Sequence, residues 1–189
     1  MVPHQSAHAP IRPEDDVAAG QAYLNLARSL RQLGQQVIGL WPVPAPLTFD
    51  EVPRHLAMAM VSLGMTVALV VPRDRWSDDP SQGPVILSGL GDSVDSITPV
   101  WSGRSSSGAV VEHTLAFLRD RYACVLLDLS GFDVGDAHEV ALIPGVALAF
   151  LVAQGRISDH ALVKLTRRIP RERRLGAVLV ESPGPGVLA

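Results

Sequence analysis

The chain has 189 residues, the length of one ordinary domain, and can bury a core that needs no disulfide or metal to hold it. Hydrophobic residues at 47% and charged residues at 19% exclude a disordered tail and a collagen-like repeat. A formal net charge of −3 argues against nucleic acid as the main partner, and the single cysteine, Cys124, fits a reducing compartment. Among the cationic residues there is one lysine, Lys164; all the others are arginine.

Residues 1–16 hold Pro3, Pro10 and Pro13 among polar residues and read as a flexible arm, ahead of a single domain at 17–182 and a flexible tail at 183–189. Ala18, Ala22, Leu26, Leu30 and Leu33 recur at helical spacing, and Gly34 stops that helix. Residues 37–41 form a short buried strand. The three prolines between Pro42 and Phe49 make a loop, and Asp50 can cap a helix at about 51–63 that buries Leu56, Met60 and Leu63. Val67–Val71 is a second apolar strand. Residues 72–108 are rich in Ser, Gly, Asp and Pro, with apolar islands at 85–87 and 97–101. A helix at 109–121 then leads to a strand at 123–127 that ends in Asp128. A helix or turn at 135–143, a strand at 146–152, a helix at 158–168 and a strand at 175–180 complete the order.

Continuous Val/Leu runs alternating with amphipathic helices imply strands buried on both faces, hence a mostly parallel α/β sheet with helices on both sides. The longest apolar run, Val140–Ala153, is 14 residues and contains Pro144 and Gly145, which is short of the roughly 20 a spanning helix needs. With no basic-then-apolar leader at the N-terminus, a cytoplasmic location is expected.

In such a sheet, ligands sit beyond the carboxyl ends of the strands. There the segment Val37-Ile-Gly-Leu-Trp-Pro-Val-Pro-Ala-Pro-Leu-Thr-Phe-Asp-Glu-Val-Pro-Arg resembles the strand, phosphate loop and helix of MinD/ParA-type P-loop ATPases. The resemblance is strongest to the cytoplasmic domain of bacterial tyrosine kinases of polysaccharide export. Leu63-Gly-Met-Thr-Val-Ala-Leu-Val looks like that family's second strand. Leu118-Arg-Asp-Arg-Tyr-Ala-Cys-Val-Leu-Leu-Asp128 looks like its Walker B segment. Ala147–Ser158 and Arg174–Val180 are similar to its later strands.

On this resemblance the chemical residues are nearly all replaced. Phe49 stands at the position of the phosphate-binding lysine and Asp50 at that of the Mg²⁺-binding hydroxyl, while Pro46 and Thr48 replace loop glycines. Phosphate cradling needs backbone N–H groups that proline lacks. Val71 stands where a second acidic residue is expected, Arg73 takes the next acidic place, and Val180 replaces the adenine-reading asparagine. Gln21, Leu24 and Ala27 stand where the family carries its ring-assembly Glu and Arg residues, and the C-terminal tyrosine cluster is absent. Asp128 alone survives.

The resemblance therefore implies a pseudo-ATPase with no catalytic residue, no metal and no cofactor, acting as an interaction, scaffolding or regulatory subunit. Its expected partner is a second copy, an active paralogue or a membrane export component, in polysaccharide export or cell-surface assembly. The alternative is an enzyme or phosphorylated-ligand binder working through Asp128 with Arg73, Arg75 or Arg104, since arginine forks bind phosphate. Asp128 can instead cap the Ser130-Gly131 turn. Arg167, Arg168, Arg171, Arg173 and Arg174 either complement a helix C-terminus or form a contact patch for an acidic partner or anionic lipid. Trp41 and Phe49 either fill the emptied site as core or present aromatic anchors to a partner.

Overall fold

The computed structural model describes residues 13–43, 51–70, 85–88, 94–98, 108–130, 134–153 and 158–180. Along the chain these form α1 (Pro13–Gln32), β1 (Val37–Val43), α2 (Glu51–Ser62), β2 (Val67–Val70), β3 (Val85–Ser88) and β4 (Val94–Thr98). There follow α3 (Gly108–Arg119), β5 (Cys124–Asp128), α4 (Val134–Leu142), β6 (Val146–Ala153), α5 (Asp159–Thr166) and β7 (Arg174–Val180). The strands make one sheet in the order β3-β4-β2-β5-β1-β6-β7. All neighbouring pairs from β4 to β7 are parallel, and only β3 runs antiparallel, at the edge.

The period of two along each central strand divides the core into two layers. Val37, Trp41, Val125, Leu127, Leu148 and Phe150 face Leu115 and Leu118 of α3 and Ala137 and Val140 of α4. Ile38, Leu40, Val67, Leu69, Leu126 and Leu151 face Ala27 and Leu30 of α1 and Leu56 and Met60 of α2. This is the mostly parallel sheet with helices on both faces that the Val/Leu runs require. The buried strands are uniformly apolar because neither face meets water. Gly34 and Gly64 close α1 and α2 with φ of +66° and +78°, which a side chain would disfavour.

Three boundaries differ from the sequence reading. Residues 13–16, expected in the arm, begin α1. Pro13 occupies the first helical position, where its missing N–H goes unused. The rest of the arm and the tail at 183–189 lie outside the described residues.

Second, β1 runs two residues past Trp41, through Pro42. The Gln36 and Leu40 carbonyls accept from the Val125 and Leu129 N–H groups, so even-numbered residues of β1 hydrogen-bond toward β5. Position 42 would aim its N–H the same way, past the last β1–β5 pair, Leu40↔Asp128. The donor that proline lacks is therefore not needed by the ladder, and pairing continues on the other side with Leu151 of β6.

Third, the polar stretch 72–108 supplies two strands. β4 pairs with β2 and β3 folds back on β4, which extends the sheet beyond the strongly apolar strands. No helix among the described residues is long and apolar enough to cross a membrane.

Candidate functional site

The carboxyl ends of β1 and β5 lie side by side, with Leu40 in register with Asp128. Strand alternation puts Asp128 on the layer shared with Cys124 and Leu126, the same side of the sheet as α2, which begins at Glu51. This is the arrangement expected of a phosphate loop, its helix and a strand-end aspartate. The segment 44–50 and its residues Pro46, Thr48, Phe49 and Asp50 lie outside the described residues, as do Val71 and Arg73.

Asp128 is buried, at 8% exposure, and its Oδ1 accepts from both the Ser130 backbone N–H, at 2.9 Å, and the Ser130 hydroxyl, at 2.6 Å. That is an Asx turn, in which a carboxylate replaces a backbone acceptor and ends the strand. Ser130, 7% exposed, is the other buried polar side chain of the described core. One carboxylate oxygen thus fixes the β5–α4 turn, as the capping alternative requires.

Val180 ends β7, opposite Ala153, and is half-buried against the α1 side of the core. Two strands, β1 and β6, separate it from β5, and Asp128 is level with Gly176, four residues short of Val180, so the two stand roughly 20 Å apart. An apolar side chain at this place offers no hydrogen bond to a base edge.

Trp41 is 1% exposed and stacks obliquely against Phe150, with ring centroids 6.0 Å apart at 55°. The packing corrects the surface-anchor alternative for Trp41: its indole fills the α3/α4 layer and presents no face to a partner. Next to it, Gly39 serves a steric purpose that the sequence reading missed. A Cβ there would lie 2.5 Å from Leu148 Cδ2 and 2.9 Å from Leu129 Cδ1, so β1 packs flat only without a side chain. The signal available in the sequence was a lone glycine inside a strand run.

The arginines divide in two. Arg174 Nε donates to the Ile169 carbonyl at 2.7 Å and closes the turn that follows α5. Arg167, Arg168 and Arg171 are exposed and Arg173 is half-buried, with no ion-pair partner among the described residues. All lie before or at the start of β7, at the amino ends of the parallel strands, opposite Asp128. The same end carries other ties that sequence spacing does not show. Gln36 Nε2 donates to the Arg119 and Tyr122 carbonyls at 2.6 and 2.9 Å, and the Arg119 guanidinium donates to the Pro144 carbonyl.

The remaining candidates are dispersed. Cys124 is buried at the start of β5, and burial pushes its thiol from 9.0 up to about 12, so it is not a nucleophile. His55 lies on α2, 3.8 Å from Glu51 and tilted against the Tyr23 ring, while His160 is exposed on α5. Burial, and then the Glu51 charge, raise the Tyr23 phenol above its ordinary value. No three His, Cys, Asp or Glu side chains among the described residues are grouped to hold a metal.

No protein-family model matches the chain, and no curated protein sequence does. Solved structures match it over nearly its whole length. The kinase domain of VpsO superposes with a TM-score of 0.64 at 14% identity, covering 91% of this chain and 100% of that one. The BceF tyrosine kinase domain gives 0.65 at 14% identity, covering 92% and 81%. The kinase domain of the Escherichia coli tyrosine kinase ETK gives 0.60 at 17% identity, covering 99% and 86%. The chain therefore has the P-loop fold of bacterial tyrosine kinase domains, and at these identities the likeness is one of fold.

Proposed function

We propose that this protein is a catalytically silent relative of those kinase domains, a pseudo-ATPase that acts through protein contacts. The observation that carries the reading is the β1–α2 connection at the carboxyl edge. Residues 44–50 read Pro-Ala-Pro-Leu-Thr-Phe-Asp, without a glycine or a lysine, and the only lysine of the chain is on α5. Phosphoryl transfer is catalysed by positioning and by neutralising charge on the phosphates. Two prolines remove N–H donors from this connection, and on the sequence resemblance Asp50 puts a negative charge where the family carries a hydroxyl. Asp128 contributes one carboxylate oxygen to its own turn, and Val180 offers the base no polar contact.

What remains is a stable α/β body whose surfaces are available to partners: a second copy, an active paralogue or a membrane export component. The setting we infer, from the resemblance of the sequence to the tyrosine kinases of polysaccharide export, is polysaccharide export or cell-surface assembly. The active-enzyme alternative would need Arg73, Arg75 or Arg104 to supply the missing cations.

Thermal unfolding with and without millimolar Mg²⁺-ATP or ADP tests the proposal. Ligand at 100 times its Kd stabilises by about 2.7 kcal/mol, which raises the midpoint by roughly 5–10 °C for a domain of this size. The expected result is no shift. A clear rise, or nucleotide hydrolysis abolished by Asp128→Asn, overturns it.

A further inference from the structure

Residues 159–174 carry six cationic and two acidic side chains, a local +4 on a chain whose formal charge is −3. The rest of the chain holds ten cationic and seventeen acidic side chains and is therefore acidic, so the positive excess is gathered at one segment. Lys164 lies in the last turn of α5, Arg167 and Arg168 in the turn that follows it, and Arg171 opens the short 3-10 turn before β7, so four cations fall within eight residues. All four are exposed, and none has an ion-pair partner among the described residues. Val163, 48% exposed, sits beside them.

A helix C-terminus accounts for one or two cations near its last carbonyls. It does not account for four unpaired ones, especially where Arg174 already donates to the Ile169 carbonyl. The corner lies at the amino ends of the strands, away from Asp128, so it plays no part in the phosphate-loop end of the sheet.

We propose that this corner is a docking surface for an anionic phospholipid bilayer, in which Lys164, Arg167, Arg168 and Arg171 meet headgroup phosphates and Val163 meets the interface. Three features fit an anionic bilayer, and the exposed Val163 beside the cations favours it over an acidic polypeptide. The cations lie along an exposed stretch at the end of α5 and in the turn after it, where each adds its own headgroup contact. Arginine, which supplies three of the four, forks onto phosphate oxygens. The acidic remainder of the chain is repelled by a negative surface, so the charge asymmetry turns the basic corner toward it. The surface is independent of whether nucleotide binds.

Cosedimentation of the full chain with vesicles tests this. At low salt the protein is expected to pellet with vesicles of about one-third phosphatidylglycerol in phosphatidylcholine and to stay in solution with phosphatidylcholine alone. Each cation near such a surface contributes roughly fivefold to partitioning, so Arg167→Glu/Arg168→Glu/Arg171→Glu should lower it at least about 100-fold. Arg54→Glu, at an exposed position of α2, reverses a charge elsewhere and should leave it nearly unchanged. The melting midpoint of each variant verifies folding, and salt should weaken binding as the Debye length shrinks. Equal pelleting with both vesicle types overturns the proposal, as does failure to pellet with either. So does capture by polyglutamate without vesicle binding, which would assign the corner to an acidic polypeptide.

Discussion

The two ends of the sheet are built differently. At the amino end, Gln36 joins the α3–β5 turn to β1, Arg119 reaches the Pro144 carbonyl before β6, and Arg174 closes the turn before β7. At the carboxyl end, the described polar anchor is the Asx turn of Asp128 and Ser130, beside a connection without glycine or lysine. In a parallel α/β sheet the first end maintains the fold and the second carries the chemistry. The comparison shows the architecture of this α/β body tied down by packing and by amino-end hydrogen bonds.

The sharpest way to break that comparison is to attack the shared core beneath both ends. Trp41→Ala empties a fully buried site against Phe150 and should cost about 3–5 kcal/mol in urea denaturation. A loss below 1 kcal/mol would mean that the indole is not core. Gly39→Ala should cost about 1–3 kcal/mol, since its Cβ meets Leu148 and Leu129 and the crowding must be relieved by shifting side chains.

At the amino end, Gln36→Ala leaves two part-buried carbonyls without their donor and should cost about 1–2 kcal/mol. At the carboxyl end, Asp128→Ala should cost about 1 kcal/mol through the lost turn, whereas Asp128→Asn keeps an accepting oxygen and should be nearly neutral. Equal losses from the Ala and Asn variants would mean that the charge matters, not the turn.

The last effect is titrational and appears only at alkaline pH. The Cys124 thiol is raised in the folded state from 9.0 to about 12. Its contribution to stability is therefore complete below pH 9 and is lost between about pH 9 and 12, as the unfolded chain ionises first. Cys124→Ala should flatten that alkaline slope. The wild-type thiol should resist alkylation at pH 8 until urea unfolds the chain, as followed by mass spectrometry.

Much of the fold was legible because burial on both faces demands uninterrupted Val/Leu strands, and Gly34, Gly64 and Asp128 punctuate them. β4 was not, because Asp95 and Ser96 interrupt the apolar pattern, and its strand state comes from pairing with β2. β1 was read two residues short, because proline is a local breaker and only its register beside β5 shows that the lost donor is unneeded. Of the candidate site, the place of Asp128 followed from its position after an apolar strand. Its engagement with Ser130 agreed with the capping alternative.

Local pattern and composition were enough for the order of strands and helices outside 72–108, the layered α/β class and the absence of glycine and lysine between β1 and α2. Only the tertiary structure decided that Trp41 is core, that Gly39 is a contact point, and that Arg174 closes a turn while its neighbours stay exposed. Those outcomes depend on which strands and helices lie side by side, and residues far apart in the chain set them.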